Sequence, residues 1–71
     1  MEKIAENEKA IFYKNDLCKD YKDGYKIIIA EEKKNNRKEY LLIKDDKPIY
    51  ASQRIEDVWV RKEALDIVNR K

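Results

Sequence analysis

The chain is 71 residues long, and charged residues make up 45% of it against 42% hydrophobic residues. Its 17 basic and 15 acidic residues give a net charge of +2, which is far from the basic surplus that is typical of nucleic-acid-binding domains. A chain this short forms at most one domain, which we expect to span residues 1–71. Apolar runs such as residues 25–30 predict that it folds rather than stays disordered.

The residue types that are missing argue against catalysis. The chain has no histidine, so neither Cys18 nor Ser52 can be activated by an imidazole base. One cysteine without histidine cannot build a zinc site. The single glycine, Gly24, excludes the glycine-rich loops that bind phosphate. We therefore predict a protein that is not an enzyme and that uses no cofactor and no metal.

Cysteine usage and hydropathy predict the compartment. Cys18 alone cannot form an intrachain disulfide, which a secreted domain of this size usually needs. The first residues lack the apolar segment of a signal peptide, and no apolar run approaches the roughly 20 residues that span a bilayer. We expect a cytoplasmic protein without membrane contact.

The first predicted element is a short helix over residues 2–14. Good helix formers dominate this segment, and its apolar residues recur at a spacing that places them on one helical face. These residues are Ile4, Ala5, Ile11 and Phe12. In an alternative interpretation, Phe12 and Tyr13 already belong to an extended segment.

A β-hairpin follows over residues 17–31, with residues 22–24 as its loop. Gly24 suits the left-handed position of a three-residue loop. That register pairs Tyr21 with Tyr25, Lys19 with Ile27, and Leu17 with Ile29. A two-residue Asp-Gly turn is the alternative, and it pairs Leu17 with Ala30. Residues 32–37 are polar and predict a loop.

A second hairpin is predicted over residues 38–51. Asp45 and Asp46 both tolerate positive φ, as a two-residue turn of type I′ requires. Pro48 has no N–H to donate, which places the last strand at a sheet edge. The register implied by this turn pairs Leu42 with Ile49 and Tyr40 with Ala51 on one face, and Leu41 with Tyr50 and Ile43 with Pro48 on the other.

A C-terminal helix is predicted from an N-cap at Ser52 to about Asn69. At about 100° per residue its apolar side chains form two stripes. The first, suited to packing on the sheet, contains Ile55, Val58, Trp59 and Leu65. The second lies nearly opposite and contains Val60, Ala64 and Ile67. A helix that packs on a sheet needs one stripe, so we predict that the second stripe is an interface.

The predicted fold class is α+β: a small antiparallel meander of three or four strands, with the C-terminal helix packed on it and a short N-terminal helix. The middle strands are apolar on both faces, whereas antiparallel sheets usually have one polar face. Three explanations compete for the second face. The N-terminal helix covers it, a second subunit or partner protein covers it, or it stays partly open and bears tyrosines.

These features favour a protein-interaction or regulatory module that acts by binding, with a second copy or another protein on Val60, Ala64 and Ile67. A phage or mobile-element accessory protein is a further hypothesis, because short length and Lys/Asn/Ile-rich composition are typical of such proteins.

The alternative function is nucleic-acid binding. A basic cluster beside tyrosines that can stack on bases would carry it, namely Lys33, Lys34, Arg37, Lys38, Tyr40 and Tyr50. The stretch Arg61-Lys62-Glu63-Ala64 is similar to the Lys-Glu-Ala-like start of the helix in arm-type DNA-binding domains of recombinases, where a three-stranded sheet precedes it. The similarity covers four residues. Glu31, Glu32 and Glu39 interrupt the basic cluster.

Overall fold

Five antiparallel strands and one C-terminal helix make up a small α+β domain. The structure is a computed structural model, and it describes residues 1–69. The sheet is a meander in which each strand pairs with its neighbours in the sequence, in the order β1-β2-β3-β4-β5. The elements are β1 (Glu2–Glu6), β2 (Ala10–Lys14), β3 (Tyr25–Glu32), β4 (Lys38–Lys44), β5 (Lys47–Ser52) and α1 (Ile55–Val68).

The N-terminal segment is a β-hairpin, so the predicted helix over residues 2–14 is wrong, as is the sheet of three or four strands. Asn7 closes the hairpin: its side-chain oxygen accepts hydrogen bonds from the N–H groups of Lys9 and Ala10, each at 2.8 Å. β2 then pairs with β3 from Ala10 opposite Glu32 to Tyr13 opposite Ile29. Pairing with β3 overrides the modest helix propensity of this segment.

The loop around Gly24 has the predicted form. Gly24 has φ +89°, the Tyr21 N–H donates to the Tyr25 carbonyl at 2.8 Å, and the Ile27 N–H donates to the Lys19 carbonyl at 2.9 Å. The predicted strand over residues 17–21 is wrong, because this segment forms only an isolated bridge between Asp20 and Lys26. The predicted pairing of Leu17 with Ile29 is also wrong. A turn at Asn15 ends the short paired stretch, and Ile29 pairs with Tyr13 instead.

The turn at Asp45-Asp46 also has the predicted form, with φ values of 50° and 68°. It pairs Ile43 with Pro48, and β5 is an edge strand as Pro48 indicated. A bulge at Ile49 then shifts the register by one residue. The other three predicted pairs are therefore wrong, and the observed ones are Leu42 with Tyr50, Leu41 with Ala51, and Tyr40 with Ser52.

The bulge decides which side chains meet the helix, since a one-residue shift moves each side chain to the other face. It brings Tyr50 to the helix side and Ala51 to the opposite side. Ser52 ends β5 and is not the N-cap, which is Arg54, without a side-chain capping bond. The Ser52 hydroxyl instead accepts from the Arg54 N–H at 3.2 Å and donates to Asp57 Oδ2 at 2.9 Å.

The core lies between α1 and strands β3 to β5. Its buried residues are Tyr25, Ile27, Leu42, Ile55 and Val58, and Trp59 and Leu65 of the first predicted helix stripe pack against them. The helix contacts β4 and β5 and leaves the β1–β2 hairpin uncovered. The domain is consequently elongated, with extents of 41 × 21 × 19 Å.

No element of residues 1–69 covers the second face of the sheet, so the explanation by an N-terminal helix is wrong. The register also excludes an open face that bears tyrosines. Tyr13, Tyr40 and Tyr50 share the helix side with Tyr25 through their strand pairs, and Tyr21 packs against the core there.

Candidate interaction surface

The second apolar stripe of α1 lies on the side of the helix that faces solvent. Val60, Ala64 and Ile67 lie on successive turns of the helix, and the side opposite them packs on the sheet. Val60 is 64% exposed and Ile67 is 66% exposed, and Ala64 between them is exposed too. Val68 extends this apolar strip. We call Val60, Ala64 and Ile67 the outer stripe.

The two edges of the outer stripe differ in charge. Glu56 and Glu63, seven residues apart, lie along one edge and are both exposed. Asp57 and Arg61 lie along the other. Asp57 accepts the hydrogen bond from Ser52, and the Arg61 guanidinium lies 4.6 Å from the centre of the Tyr50 ring. The second edge is therefore engaged within the domain. The first is acidic and exposed, and Lys19, which lies over the Trp59 ring, lines the same groove.

Lys62 fixes the helix on the sheet. It is buried, and its Nζ donates to Asp23 Oδ2 at 3.0 Å and to Asp66 while lying 4.6 Å from the ring centres of Tyr21 and Tyr25. Burial alone would lower the pKa of Lys62, but the hydrogen bonds to Asp66 and Asp23 outweigh it and raise the pKa. The charged ammonium thus ties the Gly24 loop to α1.

Sequence reasoning missed the role of Lys62 because lysine usually marks the solvent side of a helix. A signal existed in the helical spacing, which places Lys62 among Ile55, Val58 and Leu65 rather than beside Val60. The acidic edge carries no comparable signal, since glutamate at exposed helix positions such as Glu56 and Glu63 is ordinary.

Trp59 lies between the core and the outer stripe. Its ring is half-buried, its indole N–H is buried without a hydrogen-bond partner among residues 1–69, and the Lys19 ammonium lies 5.6 Å from the ring centre. Trp59 is the only tryptophan of the chain and is adjacent to Val60 in sequence. Its fluorescence will therefore report on events at the outer stripe.

The uncovered face of the sheet is a second apolar surface. Ile28 and Ile43 form its centre, and each is only 7% exposed although no helix lies over them in the described part of the chain. Neighbouring strands shield them, and one end is rimmed by ion pairs from Lys14 to Asp20 at 2.9 Å and from Lys26 to Asp46 at 3.8 Å. The centre of this face is less exposed than the outer stripe.

The structure brings together only part of the residues of the nucleic-acid alternative, since Lys38, Tyr40 and Tyr50 share the helix side of the sheet. Lys33, Lys34, Arg37 and Lys38 are exposed around the β3–β4 loop. Tyr40 and Tyr50 are half-buried on the helix side of the sheet and pack against the core.

Acidic neighbours also engage part of the basic cluster. Lys33 Nζ lies 2.5 Å from Glu6 Oε2, and Arg37 Nε lies 3.3 Å from Glu39 Oε1. Hydrogen bonds from Lys3 and Lys33 lower the pKa of Glu6 to about 2. The stretch Arg61–Ala64, similar to the start of a recombinase arm-domain helix, lies in the middle of α1, where Lys62 is buried.

Comparisons with protein-family models, curated proteins and solved structures gave no match. Within residues 1–69, no helix is long and apolar enough to cross a membrane. In the same range, no three side chains of the metal-binding types cluster.

Proposed function

We propose that this chain is a small cytoplasmic protein-interaction module that acts by binding and not by catalysis, through the outer stripe of α1. The exposure of Val60 and Ile67 on the solvent side of a helix already packed on its sheet is the observation that carries this proposal. Burying a valine or isoleucine side chain contributes roughly 1.5–3 kcal/mol. A partner that covers both therefore gains affinity without disturbing the core. The cytoplasmic assignment is supported by the single cysteine.

A double substitution tests the proposal. Val60→Lys with Ile67→Lys should leave the melting temperature close to that of the parent, since neither side chain contributes to the core. The variant should lose the partners that the parent retains from a lysate of its host, or any self-association that the parent shows in sedimentation. Unfolding of the variant as a monomer would show that the stripe belongs to the core and would refute the proposal.

A further inference from the structure

The acidic edge of the outer stripe restricts which partner fits it. The Glu63 carboxylate makes no ion pair with any residue of the described range 1–69. Among residues 1–69, the Glu56 carboxylate pairs only with Arg54, at 4.0 Å, and both side chains of that pair are largely exposed. Such a pair contributes little and is easily exchanged. Both carboxylates therefore remain available to a cation from outside the domain.

A second copy of the chain fits this surface poorly. A two-fold antiparallel pairing about Ala64 would bring Val60 of each copy close to Ile67 of the other, but it would also place the Glu63 carboxylates of the two copies opposite each other. A parallel pairing would set the acidic edge against Arg61, which already stacks on Tyr50.

We infer that the occupant is a basic amphipathic helix of another protein, whose apolar residues dock on Val60, Ala64 and Ile67 and whose lysine or arginine side chains face Glu56 and Glu63. This inference rests on the proposed function. Ala64, small and central in the stripe, lets a second helix approach closely, and apolar anchors at i, i+3, i+4 and i+7 are the usual mode of helix recognition.

Two synthetic peptides test the charge of the partner. Both carry leucine at i, i+3, i+4 and i+7 of a 14-residue helix and lack tryptophan, and they differ only in lysine or glutamate beside the leucines. Binding is followed by Trp59 fluorescence at low salt. Because the chain has a net charge of +2, overall attraction would favour the glutamate peptide. Tighter binding of the lysine peptide must then come from the local acidic edge.

Three variants separate the contributions. The double variant Val60→Ser with Ile67→Ser should bind the lysine peptide at least tenfold more weakly than the parent does. The double variant Glu56→Gln with Glu63→Gln should lower the affinity for the lysine peptide about three- to tenfold, as expected for the loss of two exposed ion pairs. Its affinity for the glutamate peptide should not fall. Ile49→Ser is the matched control, because Ile49 is an exposed apolar residue on the β5 edge and should change neither affinity.

The outcomes distinguish this inference from the proposed function. Equal or tighter binding of the glutamate peptide overturns the inference, as does unchanged binding of the lysine peptide by the glutamine variant. Even if the inference is overturned, the proposed function stands when the Val60→Ser, Ile67→Ser variant has lost affinity for both peptides. If the serine variant binds both peptides normally, the proposed function fails as well. Dimerisation in sedimentation that the serine variant abolishes would identify a second copy as the occupant and would overturn the inference.

Discussion

The two ends of the sheet are held together by different interactions. In the helix-covered region, formed by β3, β4, β5 and α1, Ile27 and Leu42 meet Val58 of the helix with no solvent exposure. In the β1–β2 hairpin no residue is buried, and every residue of β1 is exposed. Backbone hydrogen bonds to β3 and ion pairs at Glu6 hold the hairpin.

The hairpin and the helix-covered region therefore differ in local stability. Regions with few buried apolar contacts open with lower free energies than the core to which they are attached. We therefore expect the hairpin to exchange its amide protons before the helix-covered region does. The outer stripe combines an exposed surface with a stable support, because Val60 and Ile67 are largely exposed on the helix that closes the core.

The largest effect is expected from truncation inside the helix-covered region. Leu42→Ala should destabilise the domain by about 2–5 kcal/mol, since it leaves a cavity between sheet and helix. Ile11→Ala in the half-buried β2 should lower the free energy of unfolding by only about 1 kcal/mol, because less apolar surface is lost. Urea unfolding monitored by circular dichroism compares the two.

If Leu42→Ala leaves too little folded protein to measure, Ile27→Val gives the same comparison at about 0.5–1.5 kcal/mol. Equal losses for the β2 and core variants would show that the hairpin and the helix-covered region unfold as one unit. The contrast drawn between them would then be wrong.

The same contrast explains which parts of the fold the sequence predicts. The turns at Gly24 and Asp45-Asp46 follow from the φ values that those residues adopt. The two helix stripes follow from periodicity. The hairpin does not, because residues 2–14 favour a helix locally and become strands only by pairing with β3. The bulge at Ile49 is likewise not visible in the sequence, because it depends on the packing of Tyr50 against the core on the helix side of the sheet.

The position of Val60, Ala64 and Ile67 on one exposed side of α1 follows from the sequence, whereas the acidic edge beside them does not. Val60, Ala64 and Ile67 share a face on any regular helix, so spacing alone identifies them. Availability of Glu56 and Glu63 depends on which cations lie nearby in three dimensions. Sequence spacing gives no indication that Arg61 stacks on Tyr50 or that Lys62 turns inward.

A smaller loss is expected at the turn that borders the covered region. Gly24→Ala should destabilise the domain by about 1–3 kcal/mol, because φ +89° is strained for alanine and the new Cβ would lie 2.8 Å from Asp45 Oδ1. Asp46→Gly is the control, since φ 68° suits glycine and the change should be close to neutral. A neutral Gly24→Ala in thermal unfolding would contradict the account of this loop.

The hairpin should respond to acid through Glu6. Its pKa in the folded protein is about 2 against an ordinary 4.5, because Lys3 and Lys33 hydrogen-bond the carboxylate. This contribution to stability is complete above pH 4.5 and is lost as the pH falls towards 2. The amide signals of β1 in NMR spectra should shift over that range, and Glu6→Gln should flatten the response.

A local probe is needed for that measurement, because Asp23 in the helix-covered region also has a lowered pKa, through its hydrogen bond to Lys62. Global unfolding would mix the two carboxylates. Salt at 0.5 M should reduce the β1 response, since ion pairs this exposed are screened. An unchanged β1 titration in the Glu6→Gln variant would assign the acid response to another group.

The smallest effect, and the sharpest comparison, comes from two valines of the same helix. Val58 is completely buried and Val60 is 64% exposed, although both occupy interior positions of α1. Val58→Ala should destabilise the domain by about 1.5–3 kcal/mol through lost burial. Val60→Ala should change stability by less than about 0.5 kcal/mol, and towards stabilisation, because alanine has the higher helix propensity. Chemical denaturation of both variants measures the difference, and the pair controls for position in the helix.

A loss of stability for Val60→Ala approaching that for Val58→Ala would mean that the outer stripe is covered in solution. Repeating the measurement over a tenfold range of protein concentration then separates self-association, which gives a concentration-dependent midpoint, from burial within the monomer, which does not.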